Sequence, residues 1–195
     1  MDRTSNKPAE ILEEHIEVMR ALHRLTPTIH EVAIRMARCL EENGTIYWMG
    51  NGGSAADSQH LAAEFVGRFQ RERNALPSIA LTANTSTLTA VANDYGFESV
   101  FSRQVEALCA PADVVCGIST SGKSPNVVNA MYAARRIGAY TIGLGGGDGG
   151  DLVAVVDQCI LVPSRRTARI QEAHILVGHM LCEVVEGQFS DIRSD

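Results

Sequence analysis

Positive charge is not in excess in this sequence: 17 Lys and Arg stand against 23 Asp and Glu, a formal net charge of −6. Nucleic acid held by bulk electrostatics is therefore not an expected partner. A phosphorylated small molecule is still possible, because local N–H and hydroxyl groups can hold a phosphate on an acidic protein. No stretch reaches the roughly 18 apolar residues that a membrane-crossing helix needs, so no membrane partner is expected. The polar opening, residues 1–9, lacks the apolar core of a signal peptide, and the expected location is cytoplasmic. Nor is there CxxC spacing among Cys39, Cys109, Cys116, Cys159 and Cys182, whose number is odd. Each sits among apolar neighbours and reads as a buried, reduced thiol.

Glycine, by contrast, is plentiful. Seventeen glycines in 195 residues imply many tight turns in a chain whose length fits one domain, 1–195. The organising stretch is Gly50-Asn51-Gly52-Gly53-Ser54. It follows the apolar, β-favouring run Thr45-Ile46-Tyr47-Trp48-Met49 and precedes a helix-favouring run with Ala55, Ala56, Leu61, Ala62, Ala63 and Val66. The order is strand, glycine loop, helix. Glycines let the backbone approach a ligand, and Ser54 or Asp57 is expected to cap a helix start that favours an anion. His60 and Glu64 lie four residues apart on this helix and share a face.

Ahead of that unit, residues 6–43 read as two helices, 6–25 and a second after Thr26-Pro27 that stops at Asn43-Gly44. Neither is a natural crossover helix. Both are expected to pack on the sheet edge or against another subunit, which makes the chain a homo-oligomer. Further strands are expected at 78–82, 113–118, 140–144 and 159–162, separated by helices that include 125–137 and 169–185. Apolar strands without period-two alternation, interleaved with helices, define an α/β, three-layer αβα sandwich with a five-stranded parallel sheet. Ligands bind at the carboxyl ends of such strands. Both hydroxyl- and glycine-rich loops, 50–54 and 119–124, fall there.

The glycine loop lacks GxGxxG spacing, and Ser121-Gly122-Lys123-Ser124 matches only the tail of a P-loop, so a nucleotide is not the expected ligand. Instead Ser119, Thr120, Ser121 and Ser124 place four hydroxyls in six residues at a strand-to-helix turn. Such a turn can bind one phosphate through neutral donors.

Together, Asn51-Gly52-Gly53-Ser54, His60 with Glu64, Ile118-Ser119-Thr120-Ser121-Gly122 and Arg169-Ile170-Gln171-Glu172-Ala173-His174 resemble the sugar isomerase (SIS) domain family. With Gln171 and His179 added, they resemble its phosphoheptose isomerase branch over nearly the whole chain. The resemblance implies a tetrameric aldose-ketose isomerase acting on a sugar phosphate, sedoheptulose 7-phosphate. It implies Ser119, Thr120, Ser121 and Ser124 as phosphate ligands, and Asn51, Gly52, Gly53, Ser54, Asn93, Asp94 and Gln171 as sugar contacts. Glu64 and His179 would be the acid/base pair, and His60, Glu64, Gln171 and His179 a zinc site, one ion per subunit. Lys123 stands where relatives often carry a neutral residue. Chemically, moving a proton between adjacent carbons through an enediolate needs a carboxylate base, a proton donor and stabilisation of oxyanion charge, and no redox cofactor.

Two competing functions share the fold: a non-catalytic partner-binding protein of the DnaA initiator-associating type, and a sugar-phosphate sensor. Neither has use for the pair Glu64 and His179. Within the last helix, phase alone would select Glu172, seven residues before His179, over Gln171, which lies about 80° away. The resemblance selects Gln171. His15, His23, His30 and His174 read as surface or packing histidines, Trp48 as core, and Glu64 with Arg68 as an i,i+4 ion pair or substrate contact.

Overall fold

In β1 (Ile46–Gly50), Ile46 and Trp48 enter one core while Tyr47 and Met49 enter another; a sheet covered on both faces demands this alternation. The computed structural model describes residues 6–190, so residues 1–5 of the polar opening and 191–195 of the expected polar tail lie outside it. β2 (Ser78–Ala80), β3 (Val114–Ile118), β4 (Tyr140–Gly146) and β5 (Gln158–Val162) complete a parallel sheet in the order β2-β1-β3-β4-β5. The order reverses between β1 and β3, and the crevice at that point receives ligands in open parallel sheets.

Seven α-helices are formed by the described residues: α1 (Lys7–Ala21), α2 (Thr26–Glu41), α3 (Gly53–Val66), α4 (Thr85–Tyr95), α5 (Ser102–Leu108), α6 (Pro125–Ile137) and α7 (Thr167–Phe189). None is long and apolar enough to cross a membrane. α2, α3 and α7 cover the face reached by Ile46 and Trp48, while α5 and α6 cover the face reached by Tyr47 and Met49. The fold is thus the expected three-layer sandwich.

Several local expectations need correction. The first helix stops at Ala21 and gives way to a 3-10 turn, Leu22–Leu25. α2 does not sit on the sheet edge: Ile29, Val32, Ala33, Met36 and Leu40 are buried in the core with α7. Only α1, which has no buried residue, remains peripheral, tied to α7 by Arg166 with Glu14, by His15 with Glu172 and by Arg169 with the Ile11 carbonyl. All five cysteines are free, yet Cys109 and Cys159 are only half-buried. Arg68 does not pair with Glu64. α3 ends at Val66, which breaks the helical spacing between them, and Arg68 pairs with Glu72 instead, at 3.1 Å.

α3 and α7 lie close together because Gly178 presents no side chain to Leu61; a Cβ there would sit 2.5 Å from Leu61 Cδ2. Their ends are clamped by a buried ion pair, Arg73 with Glu186, whose side chains are 1% and 2% exposed. The Glu186 carboxylate accepts the backbone N–H groups of Phe69, Gln70 and Arg71 at 2.8–2.9 Å. Arg73 donates to the carbonyls of Glu64 and Phe65 in the last turn of α3, at 2.7 and 2.9 Å. Burial pushes the Glu186 carboxyl pKa up, but the three N–H donors and Arg73 outweigh it and hold it below the usual carboxylate range.

A second buried polar group, His174 on α7, donates from Nε2 to the Gly145 carbonyl at 3.0 Å, while its Nδ1 has no partner. Burial lowers its pKa to about 4, although the Gly145 bond opposes the shift.

Two outcomes follow from these groups. Glu186→Ala, which strands a buried guanidinium, should cost about 3–5 kcal/mol of stability in urea unfolding; a loss near zero would show the clamp to be inert. Because His174 is neutral when folded and titrates near 6.5 when unfolded, its contribution is present above pH 6.5 and lost as pH falls toward about 4. A His174→Gln variant should show a flatter stability-pH curve in that window.

Candidate active site

The glycine loop leaves β1 at its carboxyl end and turns into α3 at Gly52, whose φ of 56° is a conformation that favours glycine. Gly52 is therefore the helix cap. Ser54 and Asp57 are not, since both lie inside the helix: the Ser54 carbonyl accepts the Ser58 hydroxyl at 2.7 Å, and no side chain caps the end. Asn51 and Asn126, from the first turn of α6, exchange two amide hydrogen bonds of 2.9 and 2.8 Å across the switch point. Asn126 gives no sequence signal, because its partner is 75 residues away.

Three of the expected catalytic and metal-binding side chains converge between α3 and α7. His60 Nε2 lies 2.9 Å from His179 Nε2 and 3.4 Å from Glu64 Oε1. The Phe69 ring packs against His179 at 5.3 Å between centroids, held there by the Glu186 clamp. The cluster faces solvent, with the His60 side chain 47% exposed and Glu64 22%. Among the described residues, no group of three or more His, Cys, Asp or Glu side chains is arranged as a metal cage. The two imidazoles instead hydrogen-bond to each other.

Gln171 lies elsewhere on α7, against the start of α3, where a Cβ on Gly53 would overlap its amide. Glu172 turns the other way, to Arg169 and His15 on the α1 side. Helical phase favoured Glu172, and the packing of α7 between α3 and α1 places Gln171 on the site's side. Asp57 also adjoins this point. Burial raises its pKa, partly offset by a hydrogen bond from Gln171 and by nearby His60, and its Oδ2 is buried without a partner. Sequence reasoning saw Asp57 only as a cap, for want of any sign that its helix face was covered.

The second loop follows β3. Ser119 is buried and its hydroxyl meets that of Ser124, the α6 cap residue, at 3.0 Å. Ser121 Oγ accepts the Lys123 N–H at 3.2 Å. Thr120 and Ser121 open into a cleft of about 310 Å³ that is also lined by Lys123, Asp148, Ser164, Arg165 and Thr167. The cleft runs to Ile170 on α7, nine residues and about 14 Å of helix before His179. Asn93 and Asp94 lie at the exposed end of α4 and bond to each other at 2.8 Å. Among the described residues, their side chains bond to none of the other expected site residues.

A parallel five-stranded sheet thus carries a hydroxyl turn and a glycine turn at its carboxyl edge, with an imidazole-carboxylate cluster farther along α3 and α7. The chain matches the family described as "SIS domain" over residues 12–146. Phosphoheptose isomerase of Roseiflexus sp. (strain RS-1) is 55% identical over 176 residues, 90% of this chain and 89% of that protein. The Aquifex aeolicus phosphoheptose isomerase is 51% identical over 92% of this chain and 95% of its own length. Among solved structures, phosphoheptose isomerase GmhA from Neisseria gonorrhoeae superposes with a TM-score of 0.89 at 44% identity, covering 93% of this chain and 98% of that one. The Francisella tularensis phosphoheptose isomerase gives 0.91 at 36%, covering 93% and 97%. More distant neighbours, such as the Vibrio vulnificus NanR protein at 13% identity and a TM-score of 0.69, share the fold. The chain belongs to the SIS-domain family and, within it, to the phosphoheptose isomerase branch. It is an enzyme, an isomerase.

Adding a methyl group at Gly53 should displace the Gln171 amide while leaving the core untouched. Gly53→Ala is expected to lower kcat/KM roughly a hundredfold with little change in melting temperature. Equal turnover by the two proteins would show that Gln171 has no part in the reaction.

Proposed function

We propose that the enzyme interconverts sedoheptulose 7-phosphate and D-glycero-D-manno-heptose 7-phosphate through an enediolate, supplying heptose for the bacterial envelope. The observation that carries this reading is the meeting of His60, Glu64 and His179 from two helices whose starts border the seryl loop's edge of the sheet. The relatives' name, held at 50% identity and above over most of the chain, supports it.

The substrate's phosphoryl group binds at Ser119, Thr120, Ser121 and Ser124. Its carbon chain extends past Asn51, Gly52, Gly53, Ser54 and Gln171 toward the cluster. Glu64 removes a proton from C1 of the ketose, while the His179 imidazole, released from His60, protonates the oxygen at C2 as charge develops there. Return of a proton to C2 and loss of the O1 proton complete the aldose. The fold holds the reacting groups in one orientation, which lowers the entropic part of the barrier. Asn93 and Asp94 are assigned to the sugar on the family resemblance, their side chains being bonded to each other in this structure.

His60, Glu64 and His179 are donor types that suit zinc, with His60 Nε2 2.9 Å from His179 Nε2 and 3.4 Å from Glu64 Oε1, although among the described residues they are not arranged as a metal cage. These three would hold the ion once the two imidazoles part, and Gln171 would be the fourth donor on swinging away from Gly53. When bound, zinc supplies Lewis-acid polarisation of the hydroxyketone. We assign a homotetramer in the cytoplasm, on the family resemblance.

The test is coupled detection of aldose from sedoheptulose 7-phosphate, where absence of turnover with and without zinc would overturn the assignment. Glu64→Gln should abolish turnover yet bind phosphate as the unaltered protein does; near-normal activity would remove Glu64 as the base. Zinc at a hundred times its Kd should stabilise metal-stripped protein by about 2.7 kcal/mol, and His60→Ala should remove most of that gain in a thermal-shift measurement.

A further inference from the structure

Two cations line the cleft beside the seryl loop, and neither forms an ion pair among the described residues. Lys123 follows Gly122 in the loop, and its stem runs alongside Gly150. Arg165 comes from the segment between β5 and α7, and its stem approaches Gly147. The carboxylate lining the same cleft, Asp148, is engaged with its own turn: its Oδ1 accepts the Gly150 N–H at 3.1 Å. Neighbouring arginines behave differently, since Arg166 pairs with Glu14 and Arg169 with Glu172 and the Ile11 carbonyl. Two cations around one cavity repel each other, and the single carboxylate lining it, Asp148, offsets only one of the two charges.

The cavity carries hydroxyls as well as charge. Thr120, Ser121, Ser164 and Thr167 line it. At about 310 Å³ it exceeds the space of a single phosphate. We infer that Lys123 and Arg165 form a cationic clamp on the phosphoryl dianion of the sugar phosphate, one cation supplied by the seryl loop itself and the other by the segment before α7. The guanidinium engages two oxygens in a fork and the ammonium acts as a point charge. The inference rests on the proposed sugar-phosphate reading and adds to it two residues that make the seryl turn selective for a dianion over a neutral sugar.

The experiment measures the Kd for inorganic phosphate by calorimetry and KM and kcat for sedoheptulose 7-phosphate, at low and high salt, in the intact protein and in Lys123→Gln, Arg165→Gln and the double variant. Both side chains are exposed, so the variants are expected to fold. Each single change should weaken phosphate binding roughly tenfold, the scale of one hydrogen bond to a charged group. KM should rise by a similar factor while kcat moves far less, and the double variant should lose most of the salt dependence of binding. Turnover with phosphate affinity and salt dependence unaltered in all three variants overturns the clamp and leaves the isomerase assignment standing. Weakened phosphate binding in a protein that never turns over the ketose leaves the clamp standing and removes the isomerase.

Discussion

The pairing of Arg73 with Glu186 is the constraint on which the site depends. One carboxylate near the end of α7 takes up three backbone N–H groups of the segment that follows α3, and one guanidinium takes up the carbonyls that α3 leaves free. An ion pair this deep contributes little net energy over an apolar replacement, but losing half of it is costly. Its effect is on geometry. It fixes where α3 stops and where Phe69 lies, and so how His179 meets His60 and Glu64.

On the proposed reading, the two ends of the ligand are handled by different physics. The phosphoryl end would be met by hydroxyls, by backbone at a helix start and by cations from two separate loops. The reacting end would be met by groups that exchange protons. α7 joins them, with Thr167 and Ile170 at the cleft, Gln171 against Gly53 and His179 in the cluster. The switch point at β1 and β3, bridged by the amides of Asn51 and Asn126, closes the floor between them.

Much of this was legible in the residues, because the signals were local. Apolar strand runs, Pro125 opening α6 and Gly96 closing α4 each act within a few positions, and the sheet followed from them. His60 and Glu64 were readable as a pair from helical spacing alone. What stayed hidden depends on distant contacts. Arg68 turned to Glu72 because α3 ends two residues earlier, Gln171 rather than Glu172 faces α3 because α1 covers the other side, and Asp57 became a half-buried carboxylate because Gln171 lies against it. No window along the chain contains both partners of these contacts.

The length of α7 bears on the proposed substrate. The helix runs unbroken for 23 residues, so Ile170 at the cleft and His179 in the cluster are held apart by a fixed rise. On the proposed reading it serves as a ruler, against which the length of a sugar's carbon backbone would be measured.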